Sequence, residues 1–209
     1  MKIIEPSVEL VDDFDAVAVM KKIERAGRVC YKSEGNIKTD SAEKFIRNII
    51  KRGHESVIEH AAVSFKIICD RGVTHELVRH RLASFSQEST RFCDYSAGKF
   101  GGELTFIRPC FWSDDDENFK LWRTTMELVE KIYLAMRAAG TKPEEARSIL
   151  PNSLKTEIFV TMNLRELRHF LKLRTAKAAH PQMRQVALKM YEILVEKLPA
   201  VFGDIQPDT

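Results

Sequence analysis

The chain has little of what linker-rich or disordered proteins are made from. Glycine occurs 9 times and proline 7 times in 209 residues, too few for low-complexity sequence. Cysteine is scarce: Cys30, Cys69, Cys93 and Cys110 stand 39, 24 and 17 positions apart with no CxxC pair. That excludes a disulfide framework and predicts reduced thiols. No apolar run approaches the roughly 20 residues that cross a bilayer. The opening MKIIEPSVEL has no charged segment followed by an apolar one, so no signal peptide is expected. Charge of one sign is also missing, since Lys+Arg 33 against Asp+Glu 30 leaves +3, far too little to coat a polyanion. Together these absences predict a cytoplasmic protein with neither a membrane nor a nucleic-acid polymer as partner.

What is present is an ordinary globular mixture, 44% hydrophobic and 30% charged. It is long enough to bury a core without crosslinks and is read as one domain over 1–209. Ile3, Ile4, Val8 and Leu10 alternate loosely and predict a strand near Pro6. Residues 13–28 carry Val17, Val19, Met20 and Ile23 at helical spacing, and Ser41 begins a second helix with Phe45, Ile49 and Ile50 inward. Residues 61–69 are β-branched and aromatic, a strand signal, with further strands expected at 104–107 and 158–161. The longest helical stripe is Phe119, Trp122, Met126, Val129, Ile132, Tyr133 and Met136, with Gly140 as its stop. Asp114, Asp115, Asp116 and Glu117 precede it and suit a helix N-terminus better than a metal. Met183, Val186, Met190, Ile193, Leu194 and Leu198 predict a last helix whose methionines fill core. Strands mixed irregularly with helices give an α+β fold, a mixed or antiparallel sheet packed with helices and a long helix after residue 118.

Three polar clusters carry chemistry. The densest runs from Arg79 to Arg91. Val73, Leu77, Val78 and Leu82 predict a short helix before and into it, with Glu76, Arg79 and His80 sharing one face and Arg79 and Arg81 about 200° apart. Ser84, Ser86, Gln87, Ser89, Thr90 and Arg91 then read as a turn whose small donors and guanidinium suit a phosphate or carboxylate. A solvated basic loop accounts for the same residues. In the second cluster Asn163 can cap a helix with Glu166 at N3, as in a capping box. Leu164, Leu167 and Leu171 form its buried stripe, and Arg165, His169 and Lys172 line one polar side. Arg174 follows Arg165 by nine residues, about 900°, so the two point oppositely. A purely structural amphipathic helix is the alternative.

The third cluster, Gly53-His54-Glu55-Ser56-Val57-Ile58-Glu59-His60, lacks the i, i+4 histidines of a zinc helix. His54 and His60 lie about 240° apart on a helix, and His75 and His80 fail similarly. No metal site is expected. His54, Ser56 and Glu59 remain as polar ligands near a flavin or nucleotide, and His60 reads as a hydrogen-bonded structural histidine. Cys30 reads as a buried small residue. Gly98, Gly101 and Gly102 fit neither GxGxxG nor a P-loop, which excludes Rossmann-type dinucleotide binding.

Arg79-His80-Arg81 followed by seven residues and then Ser89 resembles the signature of the flavin-dependent thymidylate synthases. Four other segments match in order: Arg28-Val29-Cys30-Tyr31; Gly53-His54-Glu55 with Glu59-His60; Glu145-Ala146-Arg147 with Leu150-Pro151; and Asn163-Leu164-Arg165 with Arg174. The resemblance implies an FAD-dependent methyltransferase converting dUMP to dTMP, with methylenetetrahydrofolate as carbon donor and NADPH as reductant of the flavin. It also implies a homotetramer with shared active sites.

Residue by residue, the resemblance matches Ser56, Glu59, Arg79, His80, Arg81, Gln87, Asn163, Arg165 and His169 to FAD. It matches Glu76, Arg79, Gln87, Ser89, Thr90, Arg91, Arg147 and Arg174 to dUMP. His54 matches a histidine beside the flavin ring and folate, and Cys30 a position near the flavin. Arg174 is implied to stabilise negative charge in the uracil ring; Arg174, His54 and Ser89 form the catalytic set, Ser89 as a positioning hydroxyl. Residues 175–184 replace the family's Ala-Gln-aromatic-Glu pattern, with Ala178 where some members have histidine, so folate and NADPH contacts there are unassigned. Two alternatives stand beside this reading: a related flavin enzyme alkylating another pyrimidine nucleotide, and a non-catalytic nucleotide-binding module.

Overall fold

The computed structural model describes residues 1–208. The single strand expected near Pro6 is two, β1 (Lys2–Ile4) and β2 (Ser7–Leu10), because proline offers no N–H to continue a ladder. The helix after them, α1 (Ala16–Val29), starts where Asp15 Oδ1 accepts the N–H groups of Val17 and Ala18 at 2.9 and 3.0 Å, a side-chain cap. Then come α2 (Ser41–Lys51), β3 (Ala62–Asp70), α3 (Arg71–Leu77) and β4 (Ala83–Gln87). They are followed by β5 (Thr105–Ile107), α4 (Glu117–Ala138), α5 (Pro143–Ala146) and β6 (Lys155–Asn163). The chain closes with α6 (Leu164–Arg174), α7 (Pro181–Lys197) and α8 (Pro199–Phe202).

The architecture is α+β as expected. β1 pairs parallel with β5, Lys2 opposite Thr105 and Ile4 opposite Ile107, and Phe106 makes an antiparallel bridge to Leu154. The other four strands form a sheet in the order β2-β3-β6-β4. β6 is longer than the expected 158–161. Thr156, Ile158, Val160 and Met162 alternate inward along it, and the buried threonine hides the start of the strand from a search for apolar residues.

The chain divides into two compact units that interleave in sequence. One comprises residues 1–7, 67–79 and 86–159; the other comprises 8–66, 80–85 and 160 onward. In the first unit Tyr95, Leu104, Phe106, Met126, Tyr133, Ala146 and Leu154 form a core cluster under α4. Asp116, the third of the four acids, caps α4 by accepting Asn118 N–H at 2.8 Å. Gly140 just beyond it takes φ +90, a left-handed stop open to glycine. Asp94 receives Arg137 in bidentate fashion at 3.0 and 2.7 Å. The Arg137 hydrogen bonds, and after them those of Ser96, hold its carboxyl well below the usual range.

In the second unit α1 packs on α2 at Gly27, where a Cβ would stand 2.5 Å from Phe45 Cζ; only glycine permits that approach. Met183 and Met190 of α7 are fully buried as core. Arg168 of α6, 1% exposed, is the unit's buried cation. It donates to Glu55 at 3.2 Å, to Asp204 at 2.7 Å and to the carbonyl of Val201. Among the described residues no helix is long and apolar enough to cross a membrane, and all four cysteines are free thiols.

Candidate active site

In the second unit, Asn163 Oδ1 accepts Glu166 N–H at 2.9 Å and starts α6. The carboxylate of Glu166 turns to another partner: its Oε1 lies 2.9 Å from His80 Nδ1. On the far side of the ring, Arg174 Nε donates to His80 Nε2 at 3.1 Å. A guanidinium can only donate, so Nε2 carries the lone pair and Nδ1 carries the proton, which Glu166 accepts. His80 is 5% exposed and packs edge-on against Phe170 at 5.0 Å. Burial pushes its pKa down; the Glu166 hydrogen bond opposes this and the charge of Arg174 reinforces it. His80 is therefore a neutral, tautomer-fixed bridge between a carboxylate and Arg174.

The helix expected to run through Arg79-His80-Arg81 stops earlier. Asp70 caps α3 through Val73 N–H at 2.9 Å, and Val78 is the C-cap. Glu76 lies within the helix; Arg79, His80 and Arg81 follow it, so they share no helical face. Val78 and Leu82, expected on the buried stripe, are 39% and 72% exposed. Likewise the expected turn over 84–87 is β4, with Ser84 and Ser86 on its exposed side.

His54 precedes a 3-10 segment, Glu55–His60, after a turn in which Gly53 takes φ +74. With Ser56 and Arg165 it lines a cleft of about 340 Å³ whose apolar wall is Gly27, Phe45 and Ile49. Arg165 donates to Glu59 at 2.6 Å, so Glu59 is brought to the same place. Cys30, expected to be buried, is exposed at the end of α1 and lines this cleft, and His60 is exposed instead of structural. Arg165, His169 and Lys172 lie exposed along one side of α6 as expected, while Leu164, Leu167 and Leu171 are fully buried.

Among the described residues, neither histidine pair considered for a metal is gathered with a third ligand. His80, Glu166 and His169 do bring ligand-type atoms within 4.8 Å of one another. The guanidinium at His80 Nε2 opposes a cation there. Glu166 and Arg168 were missed as partners in this region. The available signal was their position: Glu166 adjoins Leu167, and Arg168 follows Leu164 by four on the buried stripe.

In the first unit, Gln87 ends β4 and donates through Nε2 to Thr74 Oγ1 and Thr156 Oγ1 at 3.0 and 3.2 Å, leaving its carbonyl to accept. Ser89 opens a tight turn whose carbonyl receives the N–H groups of Phe92 and Cys93, and Thr90 is buried within it. The turn is braced from the preceding residue, where Glu88 accepts Tyr95 Oη at 2.6 Å and Lys155 Nζ at 2.9 Å. Arg91 donates to Glu144 of α5 at 3.2 Å. Arg147 is exposed in the 3-10 turn immediately after α5. The Arg91–Glu144 pair thus ties the Ser89-Thr90-Arg91 turn to the segment bearing Arg147. Arg79 is exposed just after α3. Arg174, grouped with these residues by resemblance, belongs to the second unit.

Each unit thus holds one arginine-bearing polar constellation, and the comparisons bear on what they serve. The sequence model of the Thy1 family, described as thymidylate synthase complementing protein, matches residues 14–200. A flavin-dependent thymidylate synthase of Pyrococcus furiosus is 40% identical over 82% of this chain and 68% of its own length. One from Mycolicibacterium gilvum is 34% identical over 96% of this chain and 84% of its own. Among solved structures, a UMP/dUMP methylase, PolB from Streptomyces cacaoi bound with 5-Br dUMP, superposes with TM-score 0.78 at 26% identity, over 97% of this chain and 96% of that one. The matched region includes every motif described above, and the chain belongs to the flavin-dependent thymidylate synthase family.

Proposed function

We propose that this protein methylates dUMP to dTMP reductively in the cytoplasm, as a homotetramer, with methylenetetrahydrofolate giving the carbon, NADPH the electrons and FAD the relay between them. The observation that carries the reading is the Glu166–His80–Arg174 chain, which aims a permanently charged guanidinium with a buried neutral imidazole. The names of the relatives and the PolB neighbour support the same conclusion.

The residues fit a flavin. The 340 Å³ cleft joins an apolar wall to the Ser56 hydroxyl and the Arg165 guanidinium, the donor set a fused ring with a diphosphate requires. Arg81, Glu59, Asn163 and His169 of the same unit complete the flavin set proposed for it, while His80, buried with both ring nitrogens engaged, serves by holding Arg174. When bound, FAD supplies hydride storage between the reductant and the transferred carbon. The chain's own residues bind and orient. His54, which lines the cleft, would stand beside the flavin ring and folate.

Uracil C5 is a weak nucleophile, and it can attack the one-carbon donor only after negative charge has built up in the ring and been held there. Arg174 stabilises that charge electrostatically; always protonated, it takes up no proton itself. His80 accepts the Nε–H and so fixes the plane of the guanidinium. Arg91 and Arg147, with the hydroxyls of Ser89 and Thr90, grip the dUMP phosphate and ribose, while Glu76, Arg79 and Gln87 hydrogen-bond the base or sugar. Ser89 positions and does not attack, because no Ser-His-Asp arrangement activates it.

The PolB neighbour, named as a UMP/dUMP methylase, favours one further reading, that UMP competes with dUMP. Product formation from each nucleotide decides it. The flavin reading is tested on purified protein: it is yellow and bleaches anaerobically with NADPH. A colourless protein that takes up no FAD on reconstitution overturns it.

A further inference from the structure

A larger cleft, about 650 Å³, opens between α1 and α2 and shares Tyr31, Phe45, Ile49 and His54 with the smaller one. The two therefore adjoin along these four residues, His54 among them. The walls beyond carry Arg28, Lys38, Lys44 and Arg52 against one acid, Asp40. Arg28 is engaged: it donates to buried Glu24 at 3.1 and 2.8 Å and lies over the Phe45 ring at 4.6 Å. Ser41 donates to the same Glu24 at 2.8 Å, so this wall is held by a shared buried carboxylate. Lys38, Lys44 and Arg52 differ. All three are exposed, and among the described residues their side chains have no carboxylate partner.

A chain with a net charge of only +3 thus places three unpaired cations on one concave surface. A cleft lined by one sign of charge focuses its field and raises the local concentration of counter-ions. Its volume exceeds what a single inorganic anion fills, and Tyr31 and Phe45 give an apolar approach from His54 to the cations. That combination fits an elongated ligand, flat and apolar near His54 and multiply anionic at its other end.

We propose that this cleft is a subsite for the anionic tail of the co-substrate whose reacting end meets His54. The tail bears several carboxylates or a phosphate. Its two sources are the γ-linked glutamates of a folate and the 2′-phosphate of NADPH. The identity of the co-substrate rests on the function proposed above; the preference of the cleft for an extended multiple anion does not.

The test uses the purified flavin-loaded protein and direct titration calorimetry, with four probes: tetrahydrofolate carrying one glutamate, the same carrying five, NADP⁺ and NAD⁺. The wild type binds the longer folate more tightly than the shorter, or NADP⁺ more tightly than NAD⁺, and the pair that differs names the source. In the combined variant Lys38→Gln, Lys44→Gln, Arg52→Gln that preference falls about tenfold, the order expected for three exposed charge contacts. Added salt erodes it in the wild type. Flavin content reports that the variant is folded. A wild type showing neither preference overturns the proposal, as does a variant that keeps it. Because no readout requires turnover, a protein that forms no dTMP yet shows the charge-dependent preference loses the proposed function and keeps the subsite.

Discussion

Nε of Arg174 meets Nε2 of His80 at 3.1 Å, and Nδ1 of the same ring faces Glu166 at 2.9 Å. The charged and titratable groups facing the ring are Glu166, Arg174 and His169. Protonating His80 would turn an N–H toward a guanidinium, so activity falls on the acid side. Burial has already lowered the pKa of His80 below its ordinary 6.5, and Glu166 pulls it back upward. In Glu166→Gln the acid limb of the kcat/KM profile for dUMP therefore moves to lower pH. At the optimum kcat/KM drops by roughly 10- to 100-fold because the tautomer loses its carboxylate anchor, while FAD stays bound. A purely structural Glu166 predicts an unmoved limb.

The same shift has a stability consequence. A histidine whose folded pKa is depressed binds protons more tightly in the unfolded chain. Its contribution is present above pH 6.5 and is lost as pH falls from there toward the folded value. Thermal melts of His80→Gln against wild type check this: the gap between their Tm values narrows on acidification through that window.

Arg174→Ala removes the charge at the pyrimidine and is expected to lower dTMP formation by at least 10² to 10³-fold, with the flavin spectrum intact. Loss of FAD from this variant would mean that Arg174 and Arg165 have been assigned to the wrong faces of α6.

Arg165→Ala has the converse outcome. Its guanidinium lines the smaller cleft and pairs with Glu59 at the surface; FAD affinity weakens about tenfold, read by flavin fluorescence, while Tm of the apo-protein is unchanged.

Arg168→Ala tests the packing of the second unit. The residue is fully buried and joins Glu55, Asp204 and the Val201 carbonyl; the two carboxylates reach solvent, so truncation chiefly leaves the Val201 carbonyl without its donor and empties buried space, and costs about 1–3 kcal/mol. Urea unfolding measures it, and a change below about 1 kcal/mol contradicts the role.

Much of this was readable from residue order, for physical reasons. α4 and α7 have long one-sided stripes, and Asp116 and Asn163 sit where caps are needed, so their existence and starts follow from local chemistry. The polarity of Arg165 against Leu164, Leu167 and Leu171 likewise follows from 3.6-residue geometry. What stayed hidden was set by tertiary contacts. Val78 ends α3 before Arg79, which no period in the sequence announces. Glu166 had the spacing of a capping box, yet its carboxylate is turned by His80, 86 positions away. The wall of the smaller cleft depends on Gly27 admitting Phe45, and neither residue carries a motif.

The central claim is that the site held by these residues methylates dUMP. Its most direct test incubates the flavin-loaded protein with dUMP, methylenetetrahydrofolate and NADPH and follows nucleotide products by chromatography. The account predicts dTMP in step with NADPH oxidation, and none from Arg174→Ala. NADPH-dependent flavin reduction with dUMP recovered unchanged would contradict it.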